Sequence, residues 1–156
     1  MLAQRAKSEH DVALVTRLRL TLFTALDRSS DAVEACLEYL RRWGTYWPSR
    51  PTKEEVRREY DRIWLQLAGR QIEGLIDLPL IASAEVLDIL DVLTEAVNTA
   101  LHTDENLSSL VICHMVNLSL EHGNSDASCF AYVWFAIIAG PRFGNYRDGF
   151  RFGSLG

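Results

Sequence analysis

Helix-capping residues and glycines punctuate this chain at near-regular intervals, and the apolar residues between them recur every three or four positions. That period belongs to an α-helix with one buried face. Ser8 opens a first helix, in which Leu14, Leu18, Leu22 and Ala25 share a flank up to Asp27. Ser30 opens a second, carrying Val33, Cys36, Leu37, Leu40 and Trp43, and Gly44 supplies its left-handed stop. Pro48 and Pro51 then forbid a continuing helix. Thr52 with Glu55 has capping-box spacing ahead of Val56, Tyr60, Ile63, Trp64 and Leu67. Gly74 and Pro79 bracket an irregular connection. Ser83 caps a fourth helix bearing Val86, Ile89, Leu90, Leu93, Val97 and Leu101. A fifth, from about Glu105 to His122, is apolar nearly all round, which predicts burial of Met115 and Val116. Gly123 ends it, Ser125 caps a sixth, and Gly140-Pro141 is expected to stop that one. A seventh pattern resumes near Tyr146.

No window alternates in the manner of a strand, so the expected fold class is all-α. Helix starts near 8, 30, 53, 83, 105, 126 and 146 are the rhythm of helix–turn units with short loops. Two such units give a hairpin of about 40 residues, the period of helical solenoids. The predicted architecture is six full helices in three antiparallel hairpins, stacked as a TPR-like repeat array or short solenoid. A compact bundle is the alternative. Residues 1–156 read as a single helical-repeat domain, and the seventh helix has barely begun at Gly156, so a fragment of a longer multidomain protein is expected.

Charge is distributed in blocks. Residues 1–70 hold 13 Lys/Arg and 10 Asp/Glu, while residues 71–141 hold 10 Asp/Glu and no Lys or Arg. With a net charge of −5, general nucleic-acid affinity is not expected. Such asymmetry can steer partners or dock one half of a molecule against the other. The first residues turn polar at once, with no secretory apolar segment. The longest uncharged apolar stretch, Cys129 to Gly140, is far shorter than the roughly 20 residues a bilayer requires, so no membrane contact is expected. Cys36, Cys113 and Cys129 are odd in number and lie in helical patterns, as reduced packing residues of a cytoplasmic protein would.

Chemistry-bearing motifs are scarce. The chain has neither a GxxxxGK[ST] nor a GxGxxG phosphate loop, no G-x-S-x-G elbow, and no CxxC or HExxH. Cys113, His114, His122 and Cys129 are close in sequence, but the two histidines stand eight apart on one helix, too far to share an ion. His122-Gly123-Asn124-Ser125-Asp126 resembles a catalytic cluster, yet each residue has a capping role between two helices. Catalytic, cofactor-binding and metal residues are therefore expected to be absent. One charged feature remains. Asp88, Asp91 and Glu95 form a stripe at spacings of three and four, suited either to solvent or to docking on a basic partner surface.

Two stretches carry a family resemblance. One runs Leu67-Ala68-Gly69-Arg70-Gln71-Ile72-Glu73-Gly74-Leu75-Ile76-Asp77-Leu78-Pro79 and continues into the helix Glu85 to Ala100. The other runs Met115-Val116-Asn117-Leu118-Ser119-Leu120-Glu121-His122-Gly123-Asn124-Ser125, then Phe130-Ala131-Tyr132 and Gly149-Phe150-Arg151-Phe152-Gly153. Together they resemble the helical, TPR-like region that follows the AAA-type ATPase module in large signalling proteins. Those proteins join a serine/threonine kinase-like domain, the ATPase, this array, a GAF domain and a sensor histidine kinase. The resemblance implies a non-catalytic, cytoplasmic scaffold segment of a two-component signal-transduction protein. It implies contacts with neighbouring domains or protein partners and no cofactor. A free-standing helical adaptor acting through homo-oligomerisation is the second reading, and an enzyme with an unrecognised site the third.

Overall fold

The computed structural model describes the chain from Leu2 to Gly156, apart from the side chains of Leu2, Ala3 and Ala6. Met1, where the single-domain reading begins, lies outside the described residues. The local signals act as expected wherever a cap is strong. In α3 (Lys53–Leu67) the Thr52 amide donates to Glu55 Oε2 at 2.7 Å, and the Glu55 amide donates to Thr52 Oγ1 at 3.2 Å. In α4 (Ala84–Thr103) the Ser83 hydroxyl accepts from the Val86 amide. Asp104 does the same for Leu107 at the start of α5 (Glu105–His122). Three boundaries need correction. α1 (Leu2–Ala25) begins well before Ser8, because Gln4, Arg5, Lys7 and Glu9 are good helix formers and nothing there interrupts them. α2 (Ser29–Arg41) opens one residue ahead of Ser30. α6 (Asp126–Phe143) runs through Gly140-Pro141 instead of stopping there. Pro141 lies in the last turn, where it removes one helical hydrogen bond, and Gly144 at φ 70° ends the helix. Gly140 is needed for space, since a Cβ there would collide with the Tyr146 ring at the start of α7 (Tyr146–Gly153).

The protein is all-α. Among the described residues the one extended pairing is an isolated bridge between Leu80 and Asn124. A short 3₁₀ helix, Ile72–Asp77, occupies the irregular connection between α3 and α4. Cross-helix pairs set the directions. Arg42 with Glu9, and Arg19 with Glu38, make α1 and α2 an antiparallel hairpin. Asp104 alone links α4 to α5, and the Arg142–Asn106 bond ties the end of α6 to the start of α5. Pairs from His10–Asp88 to Thr24–Thr99 rise together, so α1 and α4 are parallel.

The expectation of three consecutive hairpins fails at α3. That helix packs on α5, and Glu59–His114 followed by Arg62–Glu121 shows the two running in the same direction. Its aromatic face reaches beyond α5 to α6 and α7. Tyr60 stacks on Phe143 with ring centroids 3.9 Å apart, and Trp64 meets Phe152 edge-on at 6.2 Å. Thus α1, α4 and α6 run one way, and α2, α3 and α5 the other. The central helix is α5, where Ile112, Cys113, Met115 and Val116 are all 0% exposed, as its all-round apolarity predicts.

Candidate functional site

The stripe on α4 faces α1. Asp88 is buried, and its Oδ1 lies 2.7 Å from His10 Nδ1. Asp91 and Glu95 share one guanidinium, with Arg17 Nη1 at 3.7 Å from Asp91 and Nη2 at 3.6 Å from Glu95. These are long, single contacts, and the Arg17 Nε is buried with no hydrogen-bond partner. Burial pushes the Asp91 carboxyl above its ordinary value, and Asp88 and Glu95 push the same way against the attraction of Arg17. The basic surface that the three carboxylates meet in this structure therefore belongs to α1 of the same chain.

A second polar seam binds α3 to α5. Glu59 Oε1 accepts from Asn117 Nδ2 at 3.0 Å and lies 2.8 Å from His114 Nδ1. Asn117 Nδ2 also donates to the Glu59 carbonyl at 2.8 Å, and Gln66 Nε2 donates to Asn117 Oδ1 at 2.7 Å. Trp47 closes over the His114 ring edge-on, with centroids 5.0 Å apart. Burial alone would raise the Glu59 carboxyl. Hydrogen bonds from His114 and Asn117, with the charge of Arg62, outweigh it and hold the group below its ordinary value. No sequence rule flagged this seam: Glu59 and His114 stand 55 residues apart.

The stretches that carry the family resemblance converge in space. Asn124, in the turn between α5 and α6, donates its backbone amide to the Pro79 carbonyl at 2.8 Å and its Nδ2 to the Leu75 carbonyl at 2.7 Å. Its own carbonyl accepts from the Ile81 amide at 2.9 Å, and its Oδ1 from the Tyr132 hydroxyl at 2.8 Å. Gly123 lets the two backbones touch, because it sits at φ 114° and a Cβ would collide with the Pro79 carbonyl oxygen. From α7, Arg151 donates to both Glu73 oxygens and to Gln71. The 3₁₀ segment is thereby clasped from both sides. His122 and Asp126 take the helix-end places their sequence positions suggest.

Arginines from the two flanks answer the acidic middle block. Arg17 serves Asp91 and Glu95, Arg62 serves Glu121, Arg142 serves Glu105, and Arg151 serves Glu73. The charge asymmetry of the sequence thus docks parts of the chain on one another. Two of the three thiols are insulated. Burial pushes the Cys36 thiol up to about 12 and that of Cys113 well above its ordinary value, so both stay protonated. Cys129 is exposed. Among the described residues no three His, Cys, Asp or Glu side chains are grouped to hold a metal ion, and no helix is long and apolar enough to cross a membrane.

Comparison with known proteins adds one relationship. Over 168 aligned residues the chain is 23% identical to hybrid signal transduction histidine kinase G of Dictyostelium discoideum. The alignment takes in 96% of this chain and 5% of that protein, so the chain spans about one twentieth of the relative's length. No family model and no solved structure matches. The similarity relates the chain, at low identity, to a segment of a signal-transduction protein.

Proposed function

We propose that this chain is a non-catalytic helical scaffold segment of a cytoplasmic signalling protein, set after an AAA-type ATPase module and ahead of a sensor histidine kinase. Its task is to position or regulate those neighbours and to offer them, or protein partners, a surface. The observation that carries the reading is the span of the similarity: it runs the length of this chain and takes in a small part of a hybrid histidine kinase. The clasp supports it, because the residues behind the resemblance hold helices and a 3₁₀ turn together. The buried Cys36 and Cys113 thiols and the Glu59–His114 pair also suit a structural role.

Sequencing the complete transcript tests this directly. The reading expects an open reading frame encoding a phosphate-loop ATPase upstream of these residues and a histidine-kinase module downstream. A transcript encoding this chain alone would favour the free-standing adaptor instead.

A further inference from the structure

Helix α1 is seated with its smaller side chains inward. Among its described side chains Ala13, Thr16 and Leu20 are buried and Val12 and Phe23 half-buried, while Leu14, Val15, Leu18 and Leu22 lie exposed on the outside. Apolar burial is the main force that fixes a helix to its neighbours, and four of the larger apolar groups of α1 contribute little to it. Polar contacts hold the seam instead. Toward α2 they are the surface pairs Arg19–Glu38 and Arg42–Glu9, of a kind that water replaces readily. Toward α4, three carboxylates meet one imidazole and one guanidinium. Arg17 reaches Asp91 and Glu95 only at 3.7 and 3.6 Å, and its buried Nε has no hydrogen-bond partner. Burial also works against the charged form of Asp91. Water would satisfy each of these groups once α1 lifted away. The packing beneath is continuous without α1: α2 and α4 touch directly, and Cys36 and Leu37 of α2 share an apolar lining with Ala96 and Ala100 of α4 and Leu107 and Val111 of α5.

We propose that α1 is a releasable cover: it leaves α2 and α4 as a unit while α2 through α7 stay packed, and its departure uncovers the acidic stripe of Asp88, Asp91 and Glu95. The inference goes beyond the scaffold reading and stands without it. Openings of part of a fold, below the free energy of global unfolding, are the ordinary source of switchable surfaces. With α1 seated, His10 and Arg17 occupy the stripe. With α1 released, the three carboxylates stand at spacings of three and four along α4, open to solvent.

The test uses the full chain with Cys129→Ser, which removes the exposed thiol, and Thr16→Cys, a swap of similar volume at a buried position of α1. Iodoacetamide labelling in native buffer, resolved site by site by mass spectrometry, compares the thiol of Thr16→Cys with that of Cys113. Cys113 is 0% exposed in the central helix and reports global unfolding. The α1 thiol should react about tenfold faster or more, at a rate that low denaturant hardly changes, while the Cys113 rate climbs steeply. On the unsubstituted chain, amide hydrogen exchange should show the same order, with the middle of α1 exchanging through a smaller opening than α5. A Thr16→Cys thiol that reacts only as fast as Cys113 and with the same denaturant slope, or α1 amides that exchange only together with those of α5, would overturn the proposal.

Discussion

Arg151 and Glu73 lie 78 residues apart in the chain, and the Arg151 Nε and Nη2 donate to the two Glu73 carboxylate oxygens at 2.6 and 2.7 Å. This is the fork geometry that makes an arginine–carboxylate pair directional. Asp148 Oδ1 accepts from the remaining nitrogen, Nη1, at 3.1 Å, and Gln71 Oε1 accepts a second bond from Nη2 at 3.0 Å. The pair joins α7 to the 3₁₀ turn, which Asn124 holds from its other side.

The clasp gives the protein a specific acid sensitivity. The Arg151 hydrogen bonds lower the Glu73 carboxyl from its ordinary 4.5 to about 2. A carboxyl depressed on folding stabilises the folded state above its unfolded value, and that contribution fades as pH falls through the folded one. Stability should therefore decline between about pH 4.5 and about 2, with Glu73 among the causes. In Glu73→Gln, denaturant titrations over that window should give a shallower decline. An identical pH dependence in variant and wild type would show that the pair contributes nothing.

Gly123 should tolerate no side chain. Alanine there meets a left-handed φ of 114° and the Pro79 carbonyl together. The backbone strain alone costs about 1–3 kcal/mol, and moving Pro79 also disturbs its bond from the Asn124 amide. Gly74→Ala, in the same clasp but with nothing within 4 Å of the added carbon, should be close to neutral. Equal melting temperatures for the two variants would contradict the geometry.

On α4 the neighbouring carboxylates should behave in opposite ways. Removing His10 leaves the buried Asp88 oxygen without its partner, and His10→Ala should cost about 1–3 kcal/mol. Asp91 is held above its ordinary value, so folding works against its charged form, and that penalty is present at neutral pH. Asp91→Asn should leave stability at neutral pH unchanged or raised, as chemical denaturation would show.

The buried interior of α5 should be intolerant of truncation for two different reasons. Met115→Ala opens a cavity at a 0% exposed position, costing about 2–5 kcal/mol. Asn117→Ala removes two donors from Glu59 and the acceptor of Gln66, costing about 1–3 kcal/mol through groups left unsatisfied. Wild-type melting temperatures for either variant would contradict this packing.

How far the sequence reached depended on the range of each interaction. The bounds of α3, α4 and α5 could be read because their caps act within four residues, as at Thr52 with Glu55 or Asp104 with Leu107. Pro141 misled because a proline in a last turn removes a single hydrogen bond, and the decisive left-handed residue was Gly144. The neighbour of α3 was out of reach. Helix spacing reports lengths and says nothing of which faces meet, and the rings that draw Tyr60 to Phe143 lie 83 residues beyond it. The same limit hid what faces Asp88, Asp91 and Glu95, since His10 and Arg17 sit more than 70 residues upstream on another helix. The clasp was visible only as two stretches of resemblance, with no local sign that Asn124 and Arg151 grip one turn.

The scaffold reading is tested most directly by phosphotransfer from ATP in the longer signalling protein that this reading proposes, with residues 8–156 present and deleted, beside the purified chain alone. The account predicts that the purified chain turns over no ATP and that the isolated kinase module keeps its activity. Deletion should change how the full-length protein's activity is regulated. Turnover by the purified chain, or activity and regulation unchanged by the deletion, would contradict it.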